Sequence, residues 1–217
     1  MTAKPTVRVW DLAVRLFHWA LVLLIAFSWW SGENHDMERH RLSGYAILAL
    51  LVFRVFWGFA GSRTARFAQF VRSPRAVKAY IGGMSQGSDG HNPLGGWSVL
   101  AMLGILMAQV IAGLFAVDVD GFESGPLADW ISFDGGRLAS EIHEVLFKLT
   151  LALIVIHIAA IGFYLIVKRQ NLIRPMITGK RTLMAGWATE DVRWSPLVAL
   201  AGIVISGLIA WAVSTGL

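Results

Sequence analysis

The sequence predicts an all-α integral membrane protein, a bundle of four transmembrane helices with a fifth transmembrane helix at the C-terminal end. Three observations predict it. Of 217 residues, 56% are hydrophobic and only 15% are charged, a balance unlike that of a soluble domain. The apolar residues gather into five runs of about twenty residues, the length that crosses a hydrocarbon layer about 30 Å thick. Four histidines lie in or at the ends of those runs, where ionisable groups are costly and usually functional.

Taken in order, the chain opens with MTAKPTVRVWDLAVR, which is short, basic and polar. The first run, about 12–30, holds His18 and ends in Trp29 and Trp30. Charge followed by an apolar run also fits a signal peptide. This run is long, ends in bulky aromatics and lacks a small-residue cleavage site, so it reads as a retained span. Residues 31–39, SGENHDMER, make a short acidic loop before the second span, about 40–60. The segment 61–96 is polar and carries Arg63, Arg66, Arg72, Arg75 and Lys78. Its stretch at about 74–81 has the pattern of an amphipathic helix lying on a membrane surface. The third span is about 97–117. The following loop, 118–140, carries Asp118, Asp120, Glu123, Asp129 and Asp134 against Arg137 alone. The fourth span, 141–167, is EIHEVLFKLTLALIVIHIAAIGFYLIV. A basic segment, 168–193, leads to a last apolar run, about 196–213, which has no histidine and reads as a peripheral helix. The chain thus divides into a bundle domain, 1–181, and an extension, 182–217.

Loop charge orients the spans. The N-terminal segment and the loops after spans two and four hold fourteen Lys and Arg, against three in the loops after spans one and three. By the positive-inside rule the N-terminus is cytoplasmic, the acidic loops face outward, and five spans leave the C-terminus outside. The net charge of +5 therefore belongs to membrane topology. No basic arm with interleaved aromatics suggests a nucleic-acid partner. With no cysteine in the chain, disulfides, iron–sulfur clusters, thiol catalysis and covalent haem attachment through Cys-x-x-Cys-His are excluded.

The histidines carry the chemical signal. His143 and His157 are fourteen residues apart on the fourth span, about 21 Å along a helix and within roughly 40° of the same face. His18 lies about six residues into the first span from the inner side, level with His157. His40 and His143 both open their spans at the outer side. Four histidines on three helices thus sort into an inner pair, His18 with His157, and an outer pair, His40 with His143. Two bis-histidine haems need that arrangement, because each iron takes one axial ligand above the ring and one below. Such ligation leaves no open position at the metal and favours electron transfer. A single intramembrane histidine would read more simply as one bonded to a buried polar neighbour. A zinc or copper site would need its ligands at one level.

Small and charged residues near these levels extend the candidate site. Gly44, one turn after His40, is placed to let a porphyrin approach the backbone, and Gly104, Gly113 and Gly162 are similarly small; helix packing is the alternative for each. Arg54 shares the face of His40 at the inner level and suits a haem propionate, with snorkelling to headgroups as the alternative. Arg15, Lys148 and Arg41 are weaker propionate candidates, since Arg15 also suits a helix anchor and Lys148 also suits outward snorkelling. His35 in the outer loop reads as solvated. His91, which opens HNPLGG before the third span, reads as solvated or as part of a quinone site with Arg54 and Trp57.

Several segments together carry a family resemblance: VWDLAVRLFHW (9–19), HRLSGY (40–45), RVFWGFAG (54–61), GHNPLGGW (90–97), GPLADW (125–130), EIHEVL (141–146) and NLIRPMITGKR (171–181). In these the sequence resembles the bacterial cytochrome b-561 family, which includes the b-type cytochrome subunits of nickel–iron hydrogenases. The resemblance implies a four-helix bundle in the bacterial inner membrane with two non-covalent haem b groups, ligated by His18, His40, His143 and His157. It also implies electron transfer between the quinone pool (ubiquinone or another quinone) and a periplasmic partner such as a cytochrome c, a hydrogenase or a dehydrogenase. Lys148 and the fifth helix depart from the commonest family pattern. A second expectation is a superoxide:ubiquinone oxidoreductase, which would favour positive outer charge of the kind Arg39, Arg41, Arg137 and Lys148 offer within otherwise acidic loops. A third is a non-redox membrane scaffold that binds no haem.

Overall fold

The computed structural model describes residues 6–84, 90–182 and 190–217. The main elements are β1 (Thr6–Arg8), α1 (Leu12–Glu33), α2 (Met37–Ala60), α3 (Phe67–Phe70), α4 (Pro74–Ile81), α5 (Pro93–Phe115), α6 (Phe133–Ile166), α7 (Ile173–Thr178), β2 (Lys180–Thr182) and α8 (Pro196–Ser214). Five of them, α1, α2, α5, α6 and α8, are long and apolar enough to cross a membrane. Large apolar side chains such as Leu23, Val155, Ile158 and Leu197 point outward from them. That is the surface of a helical membrane bundle in contact with lipid.

Each span begins where the sequence supplies a cap. The side chains of Asp11, Asp36, Asn92, Ser132 and Ser195 accept backbone N–H groups from the first turns of α1, α2, α5, α6 and α8. In α5 and α8 the cap is followed by proline, whose fixed φ suits the first helical position and whose missing N–H is not needed there. The turn between α1 and α2 is tight, and His35 adopts φ 57° within it.

Helix α2 is central and packs on α1, α5 and α8, while α6 packs on α5. One core cluster joins Phe17 and Leu21 of α1 to Leu51 of α2, Leu106 and Val110 of α5, and Ala210 of α8. A second joins Val14, Phe53, Trp57, Ala65 and Ala199. Helix α6 contributes no buried side chain to either cluster; its buried residues are Gly136 and Thr150. It leans on α5 and stands off from α1 and α2, so a cleft runs between the two helix pairs.

Three features go beyond the sequence expectations. Helix α6 starts at Phe133, eight residues before the apolar run, because Ser132 caps it and its first two turns continue above the span. Helix α8 lies along α2: a Cβ on Gly202 would fall 2.6 Å from Phe56, so the two helices approach closely. The segment 180–182 returns to pair antiparallel with residues 6–8, with Val7 opposite Arg181, and the N–H of Val192 donates to the carbonyl of Arg8 at 3.0 Å. The described part of the 182–217 extension is therefore joined to the bundle through β1 and α2.

Candidate haem-binding site

The cleft brings the four span histidines together two by two. The rings of His18 and His157 are 6.4 Å apart between centres, and those of His40 and His143 are 6.0 Å apart. A metal–imidazole bond is about 2 Å and the ring centre lies about 1 Å beyond the nitrogen, so two imidazoles sharing one metal ion stand roughly 6 Å apart. Both pairs have that spacing.

The outer pair is also oriented. Nδ1–H of His40 donates to the carbonyl of Ser28 at 2.9 Å, and Nδ1–H of His143 donates to the carbonyl of Gln109 at 2.8 Å. These bonds select the tautomer that keeps the Nε2 lone pair for a metal and raise its basicity. On His143 that lone pair now accepts from the Gln109 side-chain amide at 3.2 Å. Two glycines make room for the rings. A Cβ on Gly113 would lie 2.8 Å from His143 Cε1, and one on Gly32 would lie 3.2 Å from His40 Nδ1. Gly113 thus faces the imidazole itself.

Around the outer pair is a cavity of about 510 Å³, lined by His40, His143, Gly44, Phe147, Thr150 and their neighbours. Gly44 borders open space: nothing lies within 4 Å of the Cβ it lacks. The same holds for Gly104 and Gly162. Thr150, halfway between His143 and His157 in sequence, buries its Oγ1 with no hydrogen-bond partner among the described residues, as does His18 with its Nδ1. Orphaned polar atoms and an open glycine beside paired imidazoles fit a planar porphyrin.

The charged candidates are distributed unequally. Arg41 and Arg137 line the outer cavity; Arg41 forms an ion pair with Glu123, and Arg137 donates to the Val117 carbonyl at 2.9 Å. Lys148 turns to Glu144 at 2.6 Å on the exposed face of α6. Arg15 reaches the Ile177 carbonyl at 2.5 Å, anchoring α1 to α7. Arg54 is only 3% exposed. Its guanidinium stands 5.1 Å from the centre of the Phe67 ring and donates through Nη2 to the Ala65 carbonyl, while Nη1 has no hydrogen-bond partner among the described residues.

His91 is not the solvated loop residue the sequence allowed. It sits between the rings of Trp10 and Phe70, each 4.7 Å away between centres. Burial, reinforced by the charge of Arg54 and by His157, pushes its pKa down to about 3. Trp57 is 1% exposed and donates its indole N–H to Asp11 at 3.1 Å. That aspartate is itself fully buried, caps α1 through the N–H of Val14 and accepts the hydroxyl of Ser62. His35 stays exposed in its turn.

Residues 9–179 match the family model described as prokaryotic cytochrome b561. The chain belongs to this family. Membership brings b-type haem binding and membrane electron transfer, and the match spans β1's exit through the end of α7. No curated protein matches the chain.

Gln109, Thr150, Gly32 and Asp11 were not among the sequence candidates. The first two carried a signal: each is a polar residue inside an apolar run. Asp11 also carried one, standing immediately before the first apolar run in the position of a helix N-cap. Gly32 carried none, since its neighbours read as loop.

Proposed function

We propose that this cytochrome b561 carries electrons across the bacterial inner membrane, between a quinone and a periplasmic redox protein, with two b-type haems held by His18 with His157 and by His40 with His143. The observation that supports this most is the ring separation of 6.4 and 6.0 Å at two levels of one bundle. When bound, a b-type haem supplies a reversible one-electron carrier.

The chain's own residues do the holding and tuning. The carbonyls of Ser28 and Gln109 aim His40 and His143, and Gly44 keeps the space beside His40 open. Arg54, with an unsatisfied buried N–H, attracts an anionic group such as a propionate at the inner level. Arg41 and Arg137, which line the outer cavity, do so at the outer level; Lys148 lies outside that lining and turns to Glu144, and Arg15, on the inner side near His18, is held by the Ile177 carbonyl. The quinone is read at the inner side beside Arg54 and His91, with Trp57 supporting that wall through Asp11. The loop charges support a cytoplasmic N-terminus and a periplasmic C-terminus. The outer carboxylates Glu33, Glu38, Asp120 and Asp129 then favour a basic partner such as a cytochrome c.

A superoxide:ubiquinone oxidoreductase is the second reading. Arg41 and Arg137 favour it, because they put positive charge at the outer cavity within an acidic surface. Stopped-flow mixing with superoxide separates the two: rapid haem reduction supports the second, no reduction the first.

A pyridine haemochrome assay tests the main reading. Two haems per chain are expected, with one lost in His157→Ala and one in His143→Ala, and with different midpoint potentials for the haems that remain. A chain that purifies folded without haem refutes it and leaves a membrane scaffold.

A further inference from the structure

Beyond the C-terminal end of α6 lies a second concavity of about 640 Å³, which shares no lining residue with the first. Arg169, Arg174, Lys180 and Arg181 line it together with polar groups such as Asn171 and Thr178, and among the described residues no carboxylate does. Arg169, Arg174 and Lys180 are exposed and form no salt bridge with a described residue.

The backbone gathers these cations by design of the turn. Arg169 adopts φ 55° and Gly179 φ 78°, which reverse the chain on either side of α7. The Asn171 carboxamide accepts the N–H groups of Ile173 and Arg174 at 3.0 and 2.9 Å. The β ladder fixes Lys180 opposite Arg8. Like charges held this close repel one another and favour a shared counter-ion.

The surroundings say what kind of anion. Phe163, Ile166 and Val167 at the end of α6, and Ile173 and Ile177 in α7, are large, apolar and exposed. A cation-lined pocket at the end of a span, whose lining residues neighbour these bare apolar side chains along the chain, matches a molecule with a phosphate at one end and acyl chains at the other. A soluble anion would leave these neighbouring apolar side chains without a partner.

We propose that this pocket binds the headgroup phosphate of an anionic phospholipid from the leaflet that the C-terminal end of α6 reaches, with the acyl chains along Phe163, Ile166 and Ile177. The proposal is independent of the haem assignment. The test is titration of phosphatidylglycerol onto the purified full-length protein in detergent, with bound lipid counted by native mass spectrometry. Each cation near a lipid phosphate is worth roughly a fivefold change in affinity. The variant R169N/R174Q/K180Q is therefore expected to bind roughly a hundredfold more weakly; asparagine at 169 tolerates the left-handed backbone. A control that removes the same charge from α4 and its approach, R72Q/R75Q/K78Q, is expected to keep the original affinity. Phosphatidylcholine is expected not to bind the site. Equal weakening in the control, equal binding of phosphatidylcholine, or displacement of the lipid by inorganic phosphate at matched ionic strength would overturn the proposal. Should the triple variant not fold, Arg174→Gln alone is expected to weaken binding about fivefold, and an unchanged affinity overturns the proposal equally.

Discussion

Replacing Gly44 by alanine separates a cofactor cradle from a helix-packing position by the sign of two effects. Nothing lies within 4 Å of the missing Cβ, so the methyl group meets no part of the polypeptide. Glycine inside a helix costs roughly 0.5–1 kcal/mol relative to alanine. The cofactor-depleted chain should therefore gain up to about 1 kcal/mol of stability. The same methyl enters the cavity one turn from His40. Over-filling a packed site costs typically 1–3 kcal/mol, so haem affinity at the outer pair should fall roughly five- to 150-fold. The assay has two arms: thermal unfolding of cofactor-depleted protein, and titration of haem into it by absorbance. Stability up with outer affinity down is the expected result. An unchanged outer affinity, or a loss of stability without haem, refutes the reasoning, the latter because it would reveal a packing neighbour.

Asp11→Ala should be among the most damaging single changes outside the histidines. It removes the cap of α1 and leaves the buried Trp57 N–H and Ser62 hydroxyl without their acceptor. A loss of roughly 3–5 kcal/mol is expected from the cap and the two orphaned donors, measured by chemical unfolding in detergent; a loss under about 1 kcal/mol would contradict the geometry. His91 makes stability depend on pH. Its folded pKa of about 3 lies below the ordinary histidine value, so the contribution of the neutral ring is complete above about pH 6.5 and is lost as pH falls toward 3. The slope reaches about 1.4 kcal/mol per pH unit, and His91→Gln should flatten unfolding curves between pH 6 and 4. Electron exchange between the reduced protein and a basic cytochrome c should slow as salt is added; a salt-independent rate would remove the steering role of the acidic outer loops.

The bundle was legible in the sequence because its causes are local. Twenty-residue apolar runs and capping residues declare spans without reference to any partner. The pairing of histidines was legible for a related reason: depth in a membrane is one-dimensional, so counting residues from each end compares His18 with His157 directly. What was not legible depends on contacts between distant segments. His91 could be placed in a loop but not between Trp10 and Phe70, whose rings come from the N-terminal segment and α3. Helix α8 read as peripheral because it has no histidine, whereas small residues such as Gly202 seat it against Phe56 of α2. Lys148 read as an outward-snorkelling side chain or an outer propionate contact; its ion pair with Glu144 is a local i, i+4 contact on α6, of the kind that helical spacing alone allows.

The length of α6 has a consequence for how the chain tolerates change. A helix is a ruler, and here one ruler carries a residue of each pair, with fourteen steps between His143 and His157. Residues added to the loops on either side shift neither mark. One residue added between the marks turns everything beyond it by about 100° and carries it 1.5 Å along the axis, so one imidazole would look away from its partner while the other stayed in place. The distance between the two levels is thus written into the count of residues along a single unbroken rod, and the loops are free to vary around it.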